Sequence, residues 1–127
     1  MDRTQTVIVE GIQSNSTEVL SGVVQGSVMG PVLFLIYILD IDNDMKYCKA
    51  SSFADDTRLM AKISEEQHCI KMQEDLKSMF KWAHNNSMEF NTSKFVLLRY
   101  RHQNSNDINY EYKSPEHETI ECQVPET

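Results

Sequence analysis

Ser52-Phe53-Ala54-Asp55-Asp56-Thr57-Arg58 is the stretch on which the reading of this chain turns. Two adjacent carboxylates stand between two short runs of mixed apolar and polar residues, 45–51 and 59–63. That pattern predicts a strand, a tight turn and a strand, with both acids at the hairpin tip. Like charges held that close repel, and within the stretch Arg58 alone can relieve them. Water or a divalent cation has to do the rest. Taken alone, the pair is also ordinary turn chemistry, because Asp is favoured in turns for its side-chain to backbone hydrogen bonds.

Just upstream, Asp40, Asp42, Asn43 and Asp44 suggest a calcium loop. An EF-hand opening at Asp40 needs Gly at its sixth position and Glu at its twelfth, where this chain has Met45 and Ser51. The acids therefore read as a solvated connection, placed at a helix C-terminus where negative charge is mildly unfavourable. The helix itself is expected over the apolar run 32–39, with Pro31 at its first position and Gly30 just before it. Because the run is apolar all round, it should be buried on several sides. Before it come the polar, glycine-bearing Gln25-Gly26-Ser27-Val28-Met29-Gly30-Pro31 and two expected strands near residues 6–9 and 19–24. A polar loop, Gln13-Ser14-Asn15-Ser16, joins them, and the pair should run antiparallel.

Downstream, Ser64-Glu65-Glu66-Gln67 has the form of a capping box, with Ser64 as cap and Gln67 reaching back. Cys69, Met72, Leu76, Met79, Phe80 and Ala83 recur at three- and four-residue spacing, an amphipathic helix to about His84 with Trp82 on its edge. Lys71, Lys77 and Lys81 point outward as a solvated face, and the methionine and aromatic stripe is core packing. Met88-Glu89-Phe90 is a short extended piece, Asn91-Thr92-Ser93-Lys94 a turn, and Phe95-Val96-Leu97-Leu98 with Tyr100 a strand. Beyond His102 the chain turns polar and acidic, and residues 110–112 and 119–122 offer at most weak strands.

The length of 127 residues fits one domain or part of one, and 40% apolar content is enough for a core. The formal charge of −7 is mostly a property of the tail. Residues 1–101 carry eleven Lys and Arg against thirteen acids, whereas residues 102–127 hold six acids and Lys113 alone. The organisation expected is a body over 1–101 and an acidic, poorly ordered tail over 102–127. A near-neutral body neither requires nor excludes a nucleic-acid partner. Cys48, Cys69 and Cys122 are odd in number and widely spaced, so they read as reduced thiols in a reducing compartment. The N-terminus lacks the apolar core of a signal peptide, which leaves the three Asn-x-Ser/Thr matches idle. The longest apolar run is far too short to span a bilayer. These features predict an intracellular protein, cytoplasmic or nuclear, not secreted and with no membrane partner. His68, His84, His102 and His117 are scattered singly, a poor start for a metal or general-base site.

Three blocks then combine. Ser21-Gly22-Val23-Val24-Gln25-Gly26-Ser27-Val28-Met29-Gly30-Pro31 with Leu33-Phe34-Leu35-Ile36-Tyr37-Ile38, then Phe53-Ala54-Asp55-Asp56-Thr57, then Trp82, Asn86, Met88, Phe90-Asn91, Ser93-Lys94 and Val96-Leu97 resemble, in order and spacing, the reverse transcriptases of non-long-terminal-repeat retrotransposons of the Jockey-like lineage. The resemblance runs from about Arg3 to Arg99. Val24 departs from a usual proline and Met29 from a usual leucine.

The resemblance implies an α+β fold, a partial right-hand polymerase palm of antiparallel strands with two packed helices. It implies an RNA-directed DNA polymerase activity by two-metal nucleotidyl transfer, with RNA template, DNA primer and deoxynucleotides as partners of the intact enzyme. Asp55 and Asp56 would be the Mg²⁺ ligands and catalytic acids, as hard cations prefer carboxylate oxygens. Phe53 would lie near the primer end, and Gln25 and Gly26 beside the template and incoming nucleotide, where glycine lets a backbone approach closely. Lys94 would help neutralise or protonate pyrophosphate. The family's other catalytic aspartate lies on a central palm strand upstream of Arg3, and no stretch here resembles it, nor fingers, primer grip or thumb. The expectation is therefore a palm fragment missing its N-terminal central strand, inactive by itself. The alternative is a non-catalytic remnant that binds nucleic acid or protein, or has no function.

Overall fold

The structure is a computed structural model, and it describes residues 3–24, 26–100, 108–116 and 118–123. The chain is α+β and forms two units, residues 1–36 and 37–127.

The first unit is an antiparallel arm. Strand β1 (Thr4–Gln5) pairs with β4 (Thr17–Glu18), and β2 (Ile8–Val9) pairs with β3 (Ile12–Gln13). Between the two ladders Ser14 donates its N–H to the Val7 carbonyl at 2.9 Å, and the Val7 N–H donates to Ser14 Oγ at 3.0 Å. The antiparallel pairing matches expectation, but the turn does not. It falls at Glu10-Gly11, and Gln13 is taken into a strand. The reason is local: a two-residue hairpin loop of the type I′ kind needs positive φ at both positions, and Glu10 (φ 51) with Gly11 (φ 83) supplies it. The second strand lies at Thr17–Glu18, ahead of the expected 19–24, and residues 22–24 pair with no strand, Gly22 taking φ 85 and the Ser27 N–H donating to the Val24 carbonyl.

Helix α1 (Gly30–Tyr37) begins one residue before the expected position, with Pro31 in the first turn where its missing N–H costs nothing. It ends before the apolar run does, and a series of turns, Ile38 to Ile41, Asp40 to Asn43 and Asp42 to Met45, follows. The expected burial on several sides is not found. Of its own residues only Gly30 is buried, while Val32, Leu33, Leu35 and Tyr37 are exposed and Ile36 is 63% exposed. Composition states what a helix is able to bury; a second layer must exist to cover it, and the described residues supply none.

In the second unit, β5 (Lys49–Phe53) and β6 (Asp56–Met60) form the expected hairpin. Helix α2 (Glu66–Asn85) turns Cys69, Leu76, Met79 and Ala83 into the core, where Ile38, Ile41 and Tyr112 join them. Trp82, expected on the helix edge, is buried, and its indole N–H donates to Asp40 Oδ1 at 3.0 Å. Its ring packs edge-on against Tyr37, whose hydroxyl bonds the Asn86 carbonyl. Asp40 is thus a partner for a buried indole, which explains one of the acids in the solvated connection. Phe80, Phe90 and Phe95 form a second aromatic cluster with centroids 5.6–6.0 Å apart.

The expected capping box at Ser64 does not form. Glu65 occupies the N-cap position without a side-chain bond, and Ser64 instead donates its backbone N–H to His68 Nδ1 at 3.2 Å. His68 Nε2 lies 3.3 Å from Glu65, so the imidazole satisfies both neighbours, which leaves Gln67 no role at the cap. At the other end the geometry is a Schellman motif: the Ser87 N–H reaches the His84 carbonyl at 3.2 Å and the Met88 N–H reaches the Ala83 carbonyl at 2.9 Å, with Ser87 at φ 54.

After a 3-10 turn at Thr92–Lys94, β7 (Leu97–Leu98) pairs in parallel with β8 (Cys122–Gln123). That pair departs from the all-antiparallel expectation. Residues 108–116 and 118–123 are the described part of the expected acidic tail. The Gln73 side-chain amide exchanges two hydrogen bonds with the Lys113 backbone, at 2.8 and 3.0 Å, as a strand neighbour would. Ser114 and Tyr112 are buried, and Arg99 donates to the Ile108 and Tyr110 carbonyls. Burial, and then a hydrogen bond that the phenol donates to Cys69, push the Tyr112 pKa up.

A serine in the left-handed region at the end of α2 gives the first prediction. Ser87→Gly removes the Cβ penalty and is expected to stabilise the chain by about 0.5–1 kcal/mol, read as a rise in urea midpoint with unchanged slope.

Candidate functional site

The candidate site is the tip of the β5–β6 hairpin. Its ladder runs from Lys49↔Met60 to Phe53↔Asp56, so only Ala54 and Asp55 lie in the loop. A loop that short reverses the chain only with a positive φ, and Ala54 takes it at 52°. An L-residue there costs about 1 kcal/mol, a small strain held at the tip. Asp55 is then the second loop residue and Asp56 the first residue of β6, both exposed. Just below, Ser52 Oγ and Thr57 Oγ1 lie 3.1 Å apart across the ladder, and Phe53 is 84% exposed.

The other predicted residues are distributed differently. Lys94 is exposed as the last residue of the 3-10 turn, and no described hydrogen bond or ion pair joins it to Asp55 or Asp56. Gly26 belongs to the first unit, with φ 78 and nothing within 4 Å of where a Cβ would stand, so its backbone is open to an approaching ligand. Gln25 lies outside the described residues. The hairpin therefore brings together Phe53, Asp55 and Asp56. Two carboxylates on one tip form a hard-oxygen donor set of the kind Mg²⁺ takes, with several coordination positions left to water or substrate. Among the described residues no group of three or more His, Cys, Asp or Glu converges, so a complete protein cage is absent there.

What sequence reasoning missed is Asp75. This carboxylate is 4% exposed on the inner face of α2 and accepts three consecutive backbone N–H groups from the segment entering β5: Lys46 to Oδ1 at 2.9 Å, Tyr47 to Oδ2 at 2.7 Å and Cys48 to Oδ2 at 2.6 Å. Burial pushes its carboxyl up, but the N–H groups of Cys48, Lys46 and Tyr47 and the Cys48 thiol together outweigh it, and the group titrates below the usual 3.8. The Cys48 thiol, by burial and then by the Asp75 charge beside it, is pushed up to about 12, which makes it inert as a nucleophile. The signal available in the sequence was an acid adjacent to Leu76 on the apolar stripe, which by itself is indistinguishable from a solvated Glu74.

With this geometry in hand, comparison with known proteins gives the family. The family "Reverse transcriptase (RNA-dependent DNA polymerase)" matches residues 3–118. The chain belongs to the reverse transcriptase family. Within it, the chain is similar to the RNA-directed DNA polymerase from mobile element jockey of Drosophila melanogaster, 30% identical over 101 residues, and the matched part is 73% of this chain and 11% of that protein. The Jockey-like resemblance is therefore real, and the chain spans a small part of its relative. No solved structure matches. No helix among the described residues is long and apolar enough to cross a membrane.

Because Asp75 is depressed in the folded chain, the stability it contributes is present above the ordinary value of 3.8 and is lost as pH falls from there through the lower folded value. Asp75→Asn should cost about 2–3 kcal/mol at neutral pH. In urea unfolding series, the gap between wild type and variant should close as pH drops below 3.8.

Proposed function

We propose that this chain is part of the palm of a retrotransposon RNA-directed DNA polymerase, with Asp55 and Asp56 as its metal ligands. One observation carries the reading: the two adjacent acids that the family match covers stand exposed at the tip of a hairpin with a two-residue loop. Mg²⁺ bound there would lower the pKa of a primer 3′-hydroxyl and hold the triphosphate of the incoming nucleotide. The chain's own contribution is geometric. The short loop presents both carboxylates outward, Phe53 lies one position before the loop on the same tip, and the Ser52–Thr57 hydroxyl pair braces the ladder beneath it.

In the intact polymerase the substrates are an RNA template, a DNA primer and deoxynucleotides. Gly26, free of side-chain bulk, and Gln25 beside it contact the template and nucleotide, and Lys94 meets the pyrophosphate. The two acids form part of the ligand set, which a further carboxylate on a central palm strand completes; hence these 127 residues do not polymerise alone. The three free cysteines fit an intracellular setting, cytoplasmic or nuclear.

Mn²⁺ titration of the full chain followed by amide NMR tests the reading. Selective broadening of residues 53–57 is expected, and the double substitution Asp55→Asn with Asp56→Asn should abolish it. Broadening centred elsewhere, or persisting in the double variant, would overturn the assignment. In primer extension on an RNA template, the chain should incorporate nothing; incorporation that Asp55→Asn abolishes would overturn the proposed inactivity.

A further inference from the structure

We propose that Asp75 is a positioning residue for the metal-binding tip: from helix α2 its carboxylate grips the backbone of Lys46, Tyr47 and Cys48 and so fixes the direction in which the β5–β6 hairpin presents Asp55 and Asp56. The functional part of this inference rests on the reading of those two acids as metal ligands.

The hairpin ladder begins only at Lys49↔Met60, so the N–H groups of residues 46–48 have no strand partner. A single carboxylate meets all three, at 2.6–2.9 Å, acting where a neighbouring strand would. The opposite leg is tied at the same level. The Tyr47 hydroxyl donates to the Lys62 carbonyl just beyond β6, and its ring stacks on His68 of α2, centroids 5.3 Å apart, with Lys71 Nζ 5.7 Å from the ring centre. Both legs are thus fastened to α2 at the base. Residues 51–56, by contrast, are all exposed, so the tip has little packing of its own to orient it.

The hairpin therefore behaves as a lever. Five residues of strand span about 17 Å, and a swing of about 10° at the base displaces the tip by about 3 Å. Catalytic geometry tolerates about 0.5 Å. Direction must be set at the base, where Asp75 sits. Asparagine has the same shape but a single acceptor oxygen, and its amide N–H₂ would face a backbone N–H, so at least one of the three bonds is lost.

Hydrogen exchange on the unmodified chain tests the grip without any substitution. The amides of Lys46, Tyr47 and Cys48 should be protected along with the core of α2; exchange as fast as that of Ala54 and Asp55 would overturn the proposal. In Asp75→Asn, circular dichroism and amide shifts should retain α2 and the ladder, while amide order parameters of β5–β6 fall from about 0.85 to below about 0.6 and residual dipolar couplings of the hairpin no longer share the alignment of α2. Tyr47→Phe, which loosens the other leg alone, should give a smaller fall in the same direction and serves if Asp75→Asn does not fold. A hairpin that stays rigid with α2 in a folded Asp75→Asn chain sinks the idea. Mn²⁺ broadening at residues 53–57 should survive in Asp75→Asn, because both ligands lie on the tip. If that broadening is already absent from the wild type, the metal-site reading fails, while the coupling data still decide the grip.

Discussion

The second unit depends on one carboxylate with three donors. Asp75 is 27 to 29 residues away in sequence from the amides it holds, and it is nearly buried. A buried charge is tolerated only when its oxygens are satisfied, and three unpaired backbone N–H groups are tolerated only when something accepts them. Each problem solves the other. The bond set joins α2 to the start of β5, and from that junction the hairpin extends into solvent with its acids at the far end. The same burial and charge keep the neighbouring Cys48 thiol protonated, so the junction is chemically quiet while the tip stays available.

The rest of the unit repeats the device with different groups. Gln73, two residues before Asp75 and on the other flank of the same helix, uses its amide as a substitute strand to hold Lys113, and Trp82 reaches Asp40 through its indole. Helix α2 thus organises its surroundings through polar groups that flank its apolar stripe, at Gln73 on one side and Asp75 and Trp82 on the other. Its apolar residues, Cys69, Leu76, Met79 and Ala83, supply the burial that makes those bonds strong, because hydrogen bonds to a desolvated charge gain from the low local dielectric. Exposed apolar side chains elsewhere, on α1 and on the N-terminal arm where Ile12 is 77% exposed, belong to a chain that spans a small part of its relative.

Much of the candidate site was legible from the sequence because it is local. A two-residue turn between strand-forming runs puts Asp55 and Asp56 at a tip whatever surrounds it. The parts that failed depend on competition between partners. Ser64 had the sequence of a cap, but His68 offered its backbone N–H a closed bond. Trp82 looked peripheral because helical spacing counts faces and cannot see Asp40 arriving from 42 residues earlier.

By itself, then, the sequence determined the α+β class, the hairpin with its paired acids, the amphipathic face of α2 and, through motif order, membership of the reverse transcriptase family. The hairpin and the helix face follow from short-range periodicity and turn stereochemistry, the class and the family from the resemblance carried by the motif blocks. Only the tertiary structure decided that α1 remains uncovered, that β8 pairs in parallel with β7, and that Asp75 rather than Glu74 is the acid drawn inside. The physical reason is that a buried polar group is chosen by which unpaired donors the fold brings to it, and those donors lie far away along the chain.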